Sequence, residues 1–134
     1  MRRLFLALAV FGLAAGASEA RTVCPAGLHA VTTAELFFGA DIPDGGKVSA
    51  ADWADFLDRE VTPRFPDGLT TWSADGQWRT PAGVETRETS RVLLLVLSGR
   101  RDERARLAAL IDAYKSRFHQ LSVLLVEHGD CARF

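Results

Sequence analysis

The 134-residue sequence predicts an α+β domain of two layers, a four-stranded antiparallel sheet with two helices on one face, in the chain order β-α-β-β-α-β. Two observations carry this reading. Two stretches repeat apolar residues at helical spacing, and four others read as strands, with Gly, Pro and Asp at the junctions. A third supports it: Cys24 and Cys131 flank the first and last predicted strands, which this order places side by side.

A targeting segment precedes the domain. Arg2 and Arg3 form a short basic start, Leu4 to Ala15 is almost wholly apolar, and Ser18-Glu19-Ala20 supplies the small residues of a cleavage site. That is the layout of a secretory signal, with cleavage expected after Ala20 and a mature domain of residues 21–134. The apolar run is about a dozen residues, too short to span a bilayer, which needs ~20. Arg2-Arg3-Leu4-Phe5-Leu6 matches a twin-arginine signal only in part, so ordinary Sec export to the periplasm or medium is expected. Arg21-Thr22-Val23 before Cys24 lacks the small residues that lipidation requires. No transmembrane helix is expected in the mature chain. Losing Arg2, Arg3 and Glu19 leaves 14 basic and 16 acidic residues. With no basic stripe, nucleic acid is not an expected partner.

The first strand is Val31 to Phe38, with Leu36 and Phe38 on one face and Glu35 and Phe37 on the other. A loop with Pro43, Asp44, Gly45 and Gly46 follows. Ser49-x-x-Asp52 resembles a capping box, and Trp53, Phe56, Leu57 and Val61 form the apolar stripe of the first helix. Pro63 is expected to stop that helix, because it disfavours helical geometry at Thr62. Leu69–Ser73 and Gln77–Thr80 read as one strand broken by a bulge or turn at Asp75-Gly76. Val84–Leu97 alternates at first and ends in the continuous apolar run Val92–Leu97, which suits a central strand. Asp102 is the expected cap of a second helix reaching about Phe118, with Leu107, Leu110, Ile111, Tyr114 and Phe118 buried. Ser122–Glu127 is the last strand.

This order is that of the ferredoxin-like fold, in which strands one and four pair antiparallel. Such pairing brings Cys24 and Cys131 together, and an oxidising compartment supplies the chemistry for a disulfide. With no C-x-x-C and no histidine at ligand spacing, a structural disulfide is preferred to a redox or metal site.

Ala34-Glu35-Leu36-Phe37-Phe38-Gly39, Val61-Thr62-Pro63-Arg64-Phe65-Pro66-Asp67-Gly68-Leu69-Thr70, Gly76-Gln77-Trp78-Arg79, and Tyr114-Lys115 with Phe118-His119-Gln120 and Ser122-Val123 carry a resemblance. Together they resemble the domain of unknown function 3574 family of small exported bacterial proteins. The resemblance covers nearly all of the mature chain and implies no activity and no catalytic residue.

The open sheet face is the natural working surface. Ligand-binding candidates are Glu35 and Phe37 on strand one, Trp78 on strand two, Glu88 on strand three, Arg64 after the first helix and His119 after the second. Glu35 has two readings. It is a general acid or base with Arg64 or Arg91 holding a ligand carboxylate, or, ranked first, Glu35 or Glu88 is paired with Arg64, Arg91 or Arg117. His119 reads as a solvated residue or a helix-end cap before it reads as a base. Trp72 and Trp78 line a groove, stack at an interface or cover the sheet. Asp41 and Asp44 fail the EF-hand spacing. No metal, cofactor or catalytic residue is assigned. The leading function is a module that binds a small molecule or another exported protein through the open face. The alternatives are a small enzyme of the dimeric ferredoxin-like kind with a Glu35/Arg64/His119 pocket, and a structural or inhibitory partner of another exported protein. A homodimer through the open face fits the same architecture.

Overall fold

A computed structural model describes residues 23–43, 45–79 and 81–134. The expected signal peptide and its cleavage point lie outside these residues, as do Asp44 and Thr80.

The sheet contains β1 (His29–Gly39), β2 (Thr70–Arg79), β3 (Glu85–Leu97) and β4 (Leu124–Ala132), in the spatial order β2-β3-β1-β4. Each neighbouring pair is antiparallel, so β1 and β2 run parallel with β3 between them. This is the expected split β-α-β pairing. Leu36 lies opposite both Leu93 and Leu125, and Ala34 opposite Leu95. That register sets one apolar face against the helices.

The helical layer begins with α1 (Ala50–Phe56). The Ser49 hydroxyl accepts from the Asp52 amide at 3.1 Å and the Asp52 carboxylate accepts from the Ser49 amide at 3.1 Å, which completes the predicted capping box. Trp53 and Phe56 drop from α1 onto the sheet. Against expectation, Pro63 does not end the helix. The chain continues as a π-helical turn, Leu57–Val61, and a short α2, Thr62–Arg64. Thr62 keeps helical angles and its N–H donates to the Leu57 carbonyl, five residues back. The wider turn relieves the clash that a proline ring makes with a carbonyl four residues earlier, and Pro63 has no N–H to lose.

The second helical element, α3 (Glu103–Phe118), buries Leu107, Leu110, Tyr114 and Phe118. Asp102 occupies the cap position, but its carboxylate accepts from Arg106 at 2.9 Å and caps no backbone N–H. Glu103 instead ties the loop before the helix to its first turn. It accepts from the Ser98 amide and hydroxyl and the Gly99 amide, each at 2.9 Å. Its burial raises the carboxyl pKa, but these donors outweigh that and hold it below the usual carboxylate range. The Ser49 donors lower Asp52 in the same direction. A group whose folded pKa is depressed adds stability above its unfolded pKa and loses it as pH falls through the folded value. Stability is therefore expected to decline as pH drops below about 4. Glu103→Gln should be less stable at pH 7 and should flatten the acid limb, as read by urea midpoints from pH 7 to pH 3. An unchanged acid slope in Glu103→Gln would remove Glu103 from this account.

Two strand expectations are corrected. Asp75 and Gly76 pair in unbroken register with Thr89 and Glu88, so β2 has neither bulge nor turn there. β4 runs past Glu127 to Ala132, because β1 begins at His29 and offers partners for residues 128–132. That extension carries Cys131 to a position opposite Ala30. Cys24 and Cys131 are disulfide-bonded across 107 residues of sequence, with Cα atoms 5.6 Å apart.

The core lies between sheet and helices. Ala34, Leu36, Phe38, Leu93 and Leu95 meet Trp53, Phe56, Val61, Leu107, Leu110, Tyr114 and Phe118. Phe38, Trp53, Phe56, Tyr114 and Phe118 form a connected aromatic cluster with ring centroids 4.6 to 6.2 Å apart. The Tyr114 hydroxyl donates to the Gly39 carbonyl at 2.9 Å, and burial pushes its phenol pKa well up.

Candidate functional site

The helices cover one face of the sheet and strand alternation decides what the other face carries. Because Leu36 and Phe38 enter the core, Glu35 and Phe37 point away from it. Following the register outward, one row of the open face reads Trp72, Val92, Phe37, Leu124. The adjacent row reads Thr70, Leu94, Glu35, Val126. Val96, Thr33 and His128 come next. In the other direction lie Ser90, Glu88 and Trp78.

The surface is largely apolar and much of it meets solvent. Trp72 is 43% exposed, Trp78 50%, Leu124 58% and Val126 37%. Val92 is fully buried although it lies on this face, in a row with Trp72 and Phe37. At one end of the sheet a groove of about 650 Å³ opens, lined by Val31, Leu69, Thr70, Leu94, Val96 and Phe134 among others. Leu94 belongs to the groove and is also the direct cross-strand neighbour of Glu35.

Of the candidates, Glu35, Phe37, Trp78 and Glu88 all lie on the open face. Trp72 lies there too, which fixes the side that both exposed tryptophans occupy. Arg64 lies in the helical layer instead. It donates to the Glu60 carbonyl and carboxylate at 2.7 Å each and lines a crevice of about 10 Å³, room for a single water at most. His119 ends α3 in a left-handed conformation (φ 54°), the helix-end role, and is exposed. The structure thus does not bring Glu35, Arg64 and His119 together.

The expected ion pairing of Glu35 or Glu88 is not found either. Arg64 pairs with Glu60 and Arg117 with Asp55. Arg91 points to the helix side, where its guanidinium reaches Ser73 and its Nε is buried without a partner among the described residues. Among the described residues, the Glu35 carboxylate has no hydrogen bond or ion pair. Gln120 and Glu88 converge on Gly39, where an added Cβ would lie 3.2 Å from Gln120 Oε1. No group of three or more His, Cys, Asp or Glu able to hold a metal occurs among the described residues.

Sequence reasoning did not single out Leu94, Val96, Leu124 and Val126. The signal was present in the unbroken run Val92–Leu97, since a strand with one solvated face alternates.

Fold and surface together define the class: a disulfide-closed two-layer α+β domain with an open, mostly apolar sheet face. By sequence the chain belongs to the family described as "Protein of unknown function (DUF3574)", which it matches over residues 33–134. No curated protein matches it. Among solved structures it is similar to a phage SAM lyase in complex with S-methyl-5'-thioadenosine, with a TM-score of 0.58 and 16% identity over 78% of this chain and 90% of that one. The same lyase in its apo state gives a TM-score of 0.59 and 16% identity over 77% and 87%. At that identity the likeness is one of fold.

Proposed function

We propose that this is an exported binding module whose working surface is the open face of the sheet. The observation that carries the reading is β3, where Val92–Leu97 is apolar on both sides although helices cover only one. Strands that are covered on both faces have this composition, and a solvated face does not need it. The second side therefore has a partner. The disulfide agrees with an exported setting, and no helix among the described residues is long and apolar enough to cross a membrane.

Tryptophan emission tests the surface. Trp72 and Trp78 are exposed on the face and Trp53 is buried in the core. Filling the face should shift emission to the blue, and Trp72→Phe with Trp78→Phe should abolish the shift. A ligand that co-purifies with the mature domain in native mass spectrometry yet leaves emission unchanged would place the site elsewhere.

A second reading, a small enzyme, draws support from the fold shared with the phage SAM lyase and from the unpaired Glu35 carboxylate. Release of S-methyl-5'-thioadenosine on incubation with S-adenosylmethionine, lost in Glu35→Gln, would favour it over the binding module.

A further inference from the structure

We infer that the open face takes a small apolar cation, an organic ammonium seated over Glu35. This rests on the open-face reading above and names its ligand class.

The strand arginines all lie on one side of the sheet, while strand carboxylates lie on both. Alternation sends Arg79, Arg87 and Arg91 to the helix side. The open face carries the carboxylates of Glu35, Glu88 and Asp130 and no lysine or arginine from any strand. Its basic groups are two histidines, His128, which lies 3.4 Å from Asp130, and His29 at the start of β1, which lines the groove at the sheet's end.

Glu35 is the member in the middle of the apolar rows. It is half-buried, with Leu94 opposite on one side, Val126 on the other, and Phe37 two residues along. Any occupant of these rows strips water from its carboxylate. A neutral or anionic occupant would strand the charge, which is costly in apolar surroundings. A cation removes that cost and gains from an adjacent aromatic ring, here Phe37 two residues along the same face.

Size argues for a small molecule. The groove of about 650 Å³ does not include Glu35 but meets its row at Leu94, so it offers room for the apolar tail of such a cation, and its volume lies within the range of ligand sites, roughly 300–1,000 Å³. A second copy fits less well, because it would bring its own Glu35 and Glu88 with no lysine or arginine to meet them.

The test uses the disulfide-intact domain at pH 7 and low salt, titrated with octyltrimethylammonium, 1-octanol and octyl sulfate, each below self-association. Binding is read by calorimetry and tryptophan emission. The ammonium should bind about tenfold or more tightly than octanol, and the sulfate more weakly than octanol. Glu35→Gln should bring the ammonium to the octanol level and leave octanol unchanged, with the melting temperature as the check on folding. Equal affinity for ammonium and octanol, or an ammonium affinity indifferent to Glu35→Gln, overturns the inference while the open-face reading stands. Failure of both to bind overturns both. A stable dimer in sedimentation that buries Trp72 also overturns it, by giving the face to a second copy.

Discussion

Replacing Cys24 and Cys131 by serine should lower the stability of the oxidised domain by about 4 kcal/mol, the largest loss expected from any change outside the core. The bond closes a loop spanning 107 residues of sequence, so the reduced chain regains nearly all of its unfolded freedom. For a domain of this length each kcal/mol moves the melting temperature by roughly 4–8 °C, so the drop should be on the order of 15 °C or more. Urea unfolding with and without a reductant measures it. The native contacts near the bond should survive at low temperature, because β1 and β4 pair continuously from Phe37↔Leu124 to His29↔Ala132. A serine pair as stable as the parent would show that the unfolded chain is held compact by other means and would remove the entropic argument.

That disulfide also shows where sequence reasoning succeeds. Two periodicities led to the strand order, and the strand order led to the pairing of the two cysteines. Alternation at Glu35-Leu36-Phe37-Phe38 sorted core from surface, and the structure keeps that sorting. Reasoning failed where geometry depends on a neighbour that sequence does not name. Pro63 reads as a stop because local rules assume an α-turn, and the π-turn at Leu57–Val61 changes the carbonyl it would strike. Asp102 reads as a cap because its type favours that position, but Arg106 one turn on competes for the carboxylate and Glu103 reaches the loop first. Asp75-Gly76 reads as a break because those residues punctuate strands, yet ten consecutive partners on β3 hold them extended.

The site was half legible. Residues placed by alternation, Glu35, Phe37, Trp78 and Glu88, share a face as expected. Arg64 and His119 were placed by loop position alone, which carries no information about which layer a loop end joins. Arg64 is fixed by Glu60 one turn earlier, a pairing that spacing alone contained.

Phe38→Ala should cost about 3–5 kcal/mol and leave the domain close to unfolded at 37 °C. Phe38 is fully buried, and its ring centroid lies 4.6 Å from Tyr114, 5.3 Å from Trp53 and 5.9 Å from Phe56. Truncation opens a void at the junction of the sheet, α1 and α3, where three rings lose a partner together. These rings are held by the helices on one side and the sheet on the other, so they cannot collapse inward without moving backbone. Phe37→Ala is the matched control. It removes the same atoms one residue earlier, from the open face, where the side chain is half-buried and borders solvent. Its stability cost should be about 1 kcal/mol, and its effect should appear in ligand-induced tryptophan emission. The pair reads the sheet's orientation directly. If Phe37→Ala unfolds the domain and Phe38→Ala does not, the faces are exchanged and the binding surface assigned to Glu35 goes with them. Adjacent residues with identical side chains then differ only in which side of the sheet they serve, Phe38 among the rings of the core and Phe37 beside Val92 and Leu124 on the open face.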